Sequence, residues 1–104
     1  LSALLNTVEQ VRDTVNPDLE VYGILRTMFD PRVNLSNEVS MQLIEYFDRK
    51  VFRTVVPRNI RLAEAPSFGR PVLLHDRSSR GAIAYLALAG EILRREDEVV
   101  ARAV

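Results

Sequence analysis

Apolar residues alternate with polar ones in five distinct rhythms along the chain. Leu1, Leu4, Leu5, Val8, Val11 and Val15 recur every three or four residues, the period of an amphipathic helix, and Asn16-Pro17 stops it. From Leu19 to Met28, with Val21, Tyr22, Ile24 and Leu25, the pattern predicts a strand closed by the turn-forming pair Asp30-Pro31. Asn34 or Ser36 is placed to cap a second helix, on which Leu35, Val39, Leu43 and Phe47 form a stripe at four-residue spacing. A second strand follows at Val51 to Val56 and ends at Pro57, which has no N–H to give to a ladder. Residues 58 to 79 read as mostly irregular, with one helical turn at Ile60 to Ala65 and a short extended piece at Val72 to Leu74. The last helix starts at Ser78 or Ser79 and runs through Ala82 to Leu93, and the charged tail from Arg94 to Val104 is expected to fray.

Strand, helix, strand in that order predicts a right-handed parallel unit, hence an α/β fold in the order α-β-α-β-loop-α. Two parallel strands make a poor core alone, because parallel sheets are normally covered on both faces and built from more strands. The pattern is that of half an α/β domain. The first helix also lacks a capping residue ahead of Leu1 and an initiating Met, so the chain is expected to start inside an element of a larger protein.

At 104 residues the chain bounds one domain, 1–104, with no linker, repeat or low-complexity tract. It is 47% hydrophobic and 27% charged, and no apolar run approaches the ~18 residues of a membrane span. Cysteine is absent and His75 is the only histidine, which excludes a disulfide scaffold and a thiolate or imidazole zinc cluster. Nothing at the N-terminus resembles a secretory signal, so a cytoplasmic location is the default expectation.

The net charge of zero is an average over unequal blocks. Residues 1–48 carry three basic and eight acidic side chains, a net of −5, and residues 49–80 carry eight against two, a net of +6. The remainder carries three against four. Charge runs are ordinarily solvated surface, yet a local excess of this size attracts phosphates to one face of a neutral molecule. Most of these cations are Arg, whose planar fork grips phosphate and carboxylate alike.

No motif supports autonomous catalysis. The single lysine, Lys50, follows Asp48-Arg49, and the four glycines never reach the spacing of a phosphate-binding loop or a dinucleotide fingerprint. His75 has no nucleophilic partner marked by the sequence, and a lone histidine is ordinarily a packed or surface residue. What remains is the run from Pro57 to Pro71, directly after a strand, where ligands of open α/β sheets bind. The other strand end carries Thr27 to Arg32, so the two segments are expected to be neighbours. Against a ligand site stands the reading that Pro66 and Pro71 stiffen a surface loop whose arginines pair with Glu64 and Asp76.

At these residues the chain resembles the ParA (Soj) family of chromosome- and plasmid-partitioning ATPases, deviant P-loop proteins related to MinD. Thr27-Met28-Phe29-Asp30, Arg32 and Asn34-Leu35-Ser36 are similar to the family's TMxDxRTxLS segment. Pro57-Arg58-Asn59, Arg61-Leu62, Glu64-Ala65-Pro66-Ser67, Gly69, Pro71-Val72, Asp76, Ser79, Gly81-Ala82, Ala84-Tyr85 and Leu88-Ala89 follow its signature from PRNxRL to AYxxLA. Val33, Ala63, His75 and Arg77 depart from it, standing where Thr, Ser, Tyr and Pro are usual. Leu1 to Val8 is similar to the helix after the family's switch region, so the likeness covers the chain but only the C-terminal portion of the family.

The resemblance implies that Thr27, Met28, Pro57, Arg58 and Asn59 frame adenine, with Met28 against the ring and the Pro57 to Asn59 backbone reading its edge. It implies that Arg32 and Arg61 grip DNA without sequence preference. ATP and Mg2+ would serve the complete protein, which would form a homodimer, coat the nucleoid and meet a ParB-like partner, with no membrane. This chain, without the phosphate loop and its lysines, is not expected to hydrolyse ATP alone. Two other readings stand beside this one: a stand-alone, non-enzymatic DNA-binding module, and a truncated product that folds poorly.

Overall fold

Ile24–Phe29 (β1) and Val51–Pro57 (β2) pair in parallel as a two-stranded sheet, joined by the helix Asn34–Phe47 (α2) and a 3-10 turn at Asp48–Lys50. The computed structural model describes residues 2–103. Ser2–Thr14 forms α1, and after β2 come Ile60–Glu64 (α3), a 3-10 turn at Ala65–Phe68, Val72–His75 (α4) and Arg80–Ala103 (α5). The expected α/β class and parallel crossover are found. The place of Leu1 on the first helix and the end of the tail at Val104 lie outside the described residues.

Four local expectations are corrected. β1 starts at Ile24, not Leu19, because its ladder begins opposite Val51 and residues 19–23 have no strand beside them. Val33 occupies the cap of α2 in extended conformation and makes no side-chain cap bond, so neither Asn34 nor Ser36 caps it. Val72 to His75 is a helical turn, not an extended piece. The Leu74 and His75 amides bond the Pro71 carbonyl, and Val72 packs with Ala65 and Ala82 where no strand edge is available. The tail does not fray at Arg94, since Arg95 bonds the carbonyls of Lys50 and Val51 and Tyr22 donates to Glu96 at 2.6 Å. Of the two expected starts of α5, Ser78 and Ser79, the cap is Ser79, whose Oγ accepts from the Ala82 amide and donates to the Asp76 carbonyl.

The ladder is irregular in an informative way. Between the pairs Ile24–Val51 and Arg26–Val55, β1 advances two residues while β2 advances four, so β2 bulges at Phe52 to Thr54. Backbone groups freed by the bulge are satisfied by side chains. Arg26 donates to the carbonyls of Phe52 and Arg53, and buried Glu91 of α5 accepts the amides of Arg53 at 2.7 Å and Thr54 at 2.9 Å. Burial pushes the Glu91 carboxyl up, but these amides and Arg95 outweigh it and leave the group below its ordinary value.

The core is small. Val51, Phe52, Val56 and Ala84 are buried between sheet and α5, and Ala65, Val72 and Ala82 form a second cluster with Leu62 and Leu73. No described residue of α1 is buried, and Leu4, Leu35, Met41 and Tyr46 are exposed. The radius of gyration is 16.1 Å, against about 13 Å for a self-contained domain of this length. Much apolar surface on α1 and α2 is thus left without a neighbour.

Candidate functional site at the strand ends

The carboxyl ends of β1 and β2 lie side by side, as the loop composition predicts. Phe29 pairs with Pro57, and the Arg58 amide donates to the Phe29 carbonyl at 3.1 Å. This places Thr27 and Met28 beside Pro57, Arg58 and Asn59. From Arg26 to Phe29, β1 advances three residues against two on β2, so β1 carries one extra residue. Met28 sits in this stretch with φ of 52°, a left-handed conformation that costs an unbranched non-glycine residue roughly 1–3 kcal/mol. It leaves Met28 69% exposed at the end of a strand. A bulge that turns a flexible, polarizable side chain outward beside loop backbone makes a surface suited to a flat ring.

Asn59 does a structural job with its side chain. Its Oδ1 accepts the Leu62 amide and starts α3, which fixes the side chain at this corner. Gly81 of α5 comes so close that a Cβ there would stand 2.4 Å from Leu62 Cγ and 3.1 Å from Asn59 Oδ1, which locks the start of α5 against this corner. Asn59→Ala is expected to cost about 1 kcal/mol in urea unfolding.

Both arginines of interest are ion-paired. Arg32, 87% exposed, meets Asp30 through two hydrogen bonds, Nε to Oδ1 at 3.0 Å and Nη2 to Oδ2 at 2.9 Å. Arg61 meets Glu64 at 2.9 Å and Asp76 at 3.3 Å. The expectation that loop arginines pair with Glu64 and Asp76 therefore holds for Arg61, while Arg58 makes no ion pair among the described residues. His75 is a packed residue, stacked on Phe68 and bonded to Glu64 at 3.0 Å. The sequence did not single out Asp30 as a partner for Arg32, nor Glu64 as the residue shared by Arg61 and His75; the three-residue spacing of Arg61 and Glu64 on a helix was the available signal.

Hydrogen bonds from Arg32 hold the Asp30 carboxyl down at about 2, from an ordinary 3.8. A depressed carboxyl stabilises the fold above its unfolded value and loses that contribution as pH falls through the folded one. Asp30→Asn is therefore expected to melt lower than the parent at neutral pH. The difference in Tm should close between about pH 4 and about pH 2, read by circular dichroism.

Exposed Met28 and the Pro57 to Asn59 backbone stand together at the strand ends. No glycine-rich phosphate loop occurs in the sequence, and among the described residues no group of three His, Asp or Glu side chains stands together to hold a metal ion. No helix among the described residues is long and apolar enough to cross a membrane.

Comparison with known proteins gives this corner a context. Residues 1–72 match the CobQ/CobB/MinD/ParA nucleotide binding domain. An uncharacterized protein of Pseudomonas putida is 56% identical over 96 residues, 92% of this chain and 36% of its own length. Chromosome partitioning protein ParA of Myxococcus xanthus is 47% identical over 96 residues, 92% of this chain and 34% of its own. Sporulation initiation inhibitor protein Soj of Bacillus subtilis is 52% identical over 92 residues, 88% of this chain and 36% of its own. The chain thus spans about a third of the length of each of these relatives. With its parallel α/β unit, its paired strand ends and this match over most of its length, the chain belongs to the CobQ/CobB/MinD/ParA nucleotide-binding domain family, within its ParA/Soj group.

Proposed function

We propose that the chain supplies the adenine-framing loops and the DNA-gripping arginines of a ParA/Soj-type partitioning ATPase. The observation that carries this reading is the juxtaposition of the two strand ends, with Met28 turned outward beside Pro57 to Asn59. In this reading Thr27, Met28, Pro57, Arg58 and Asn59 seat adenine. Arg32, in the loop after β1, and Arg61, on α3 after β2, meet DNA phosphates. A complete domain adds the phosphate loop and Mg2+ site, works as an ATP-dependent homodimer on the nucleoid in the cytoplasm, and answers to a ParB-like partner. The cargo is a chromosome or a plasmid.

Phosphate contacts give sequence-independent affinity that weakens with salt, by a slope of about 0.9 for each contact in log K against log salt. Retardation of random-sequence duplex DNA at low salt is expected, with Arg32→Ala and Arg61→Ala each weakening it and lowering the slope by about one. Binding that ignores salt, or is untouched by both substitutions, contradicts the assignment of these arginines.

A further inference from the structure

Arg61 does not stand free in the loop. Its Nη1 bonds both carboxylate oxygens of Glu64, at 3.2 and 2.9 Å, and its Nε lies 3.3 Å from Asp76 Oδ2. The carboxylates are themselves held. Asp76 Oδ1 accepts the Ser78 amide and hydroxyl, and Glu64 Oε2 also meets His75 Nε2 at 3.0 Å. His75 is fixed by its stack on Phe68, ring centroids 4.8 Å apart, with its side chain only 14% exposed. Among the described residues, those four side chains, from α3, α4 and the residue after α4, are the charged groups within ion-pairing distance of one another here. The 3-10 turn contributes Phe68 and the start of α5 contributes Gly81 and Ala82, all uncharged, and Arg80 makes no ion pair.

We propose that Glu64 and Asp76 are an intramolecular rival of phosphate for Arg61, and that protonation of His75 weakens the rival. The proposal rests on the DNA reading of Arg61 given above. A carboxylate pair offers a guanidinium the same charge-assisted hydrogen bonds as a phosphate, so DNA must compete with it for Arg61. With a neutral imidazole, Arg61, Glu64 and Asp76 sum to −1. With an imidazolium, the cluster is neutral and Glu64 is shared between two cations. The guanidinium is then released to phosphate more readily, and DNA binding tightens when His75 takes a proton. Glu64 and Asp76 compete for the contact; His75 acts through Glu64 and touches no phosphate.

The test is fluorescence anisotropy of a labelled random duplex with this protein at constant ionic strength, from about pH 8 to about pH 5.5. His75 is the only histidine of the sequence, so a histidine effect is assigned to it without ambiguity. The parent is expected to tighten about two- to fivefold on acidification, the scale of one partly exposed ion pair. The profile should flatten in His75→Gln, which keeps an N–H for Glu64 and takes no proton. His75→Tyr, with a ring for Phe68 and an O–H for Glu64, should flatten it too and covers the case in which the glutamine variant does not fold. Asp76→Asn should tighten binding about twofold at the alkaline end, and this gain should vanish in the Arg61→Ala background. A flat parental profile, an unchanged profile in the His75 variants, or an Asp76→Asn gain that persists without Arg61 overturns the clamp while Arg61→Ala still weakens binding. If Arg61→Ala leaves affinity unchanged, the DNA reading falls and the proposal with it.

Discussion

Glu91→Ala is expected to remove about 3–5 kcal/mol of stability, seen as loss of the cooperative urea transition. The carboxylate is buried in the middle of α5, yet it does the work of a strand. The bulge at Phe52 to Thr54 takes two amides out of the ladder, and Glu91 accepts both. Hydrogen bonds to a charged acceptor contribute about 1.5–3 kcal/mol each, and an alanine leaves two buried donors without a partner. It also strips Arg95 of a carboxylate 3.7 Å away while Arg95 remains tied to the Val51 carbonyl at the start of β2. Glu91→Gln should fall between the two, because its amide keeps one acceptor and turns a donor toward the other N–H. A loss under about 1 kcal/mol in Glu91→Ala would mean that water serves these amides as well.

Phe52→Ala is the second large loss, about 3–5 kcal/mol. The ring is 6% exposed, lies 4.1 Å under the Arg95 guanidinium and faces Tyr22 at 6.3 Å. It is pressed so closely on Gly23 that a Cβ there would stand 2.5 Å from the ring. A small core has few other groups to close such a cavity. The same geometry predicts a compensation: Gly23→Ala should destabilise the parent by forcing the ring aside, about 1–3 kcal/mol, and cost less than that in Phe52→Ala. Purely additive losses in urea melts would show that Gly23 and Phe52 do not share this contact.

The parts legible in the sequence were those governed by local rules. The α2 stripe, Pro57 as the end of β2, Ser79 as the cap of α5, and the meeting of the two strand-end loops follow from periodicity, turn chemistry and the parallel crossover. Where the reading failed, a partner was missing or distant. Leu19 to Gly23 looks like strand by composition, but no strand lies alongside. Val72 to Leu74 looks extended, but burial against Ala65 and Ala82 favours one helical turn. The paired bulges were invisible, since nothing local marks Met28 for a positive φ or Glu91 for a place at a strand edge. The meeting of the two strand-end segments was legible, and the partners of their arginines were legible only in part. Arg61, in the +6 block, pairs with Glu64 and Asp76 as one of the two sequence readings has it, whereas Arg32, in the −5 block, faces Asp30, which neither reading names.

In the proposed function this segment brings a working adenine seat and DNA grip to a partitioning ATPase. The most direct test of this role replaces the matching 92-residue segment of Bacillus subtilis Soj, 52% identical, with that of this chain. ATP-dependent retardation of random duplex DNA is then measured beside unaltered Soj. The chimera should shift DNA more strongly with ATP than without it, and Met28→Asp and Arg61→Ala should each abolish most of that gain, the first by loss of nucleotide and the second at unchanged nucleotide binding. A folded chimera that binds ATP yet shifts DNA equally well with and without Arg61, or one that binds ATP as well with Asp at position 28, contradicts it.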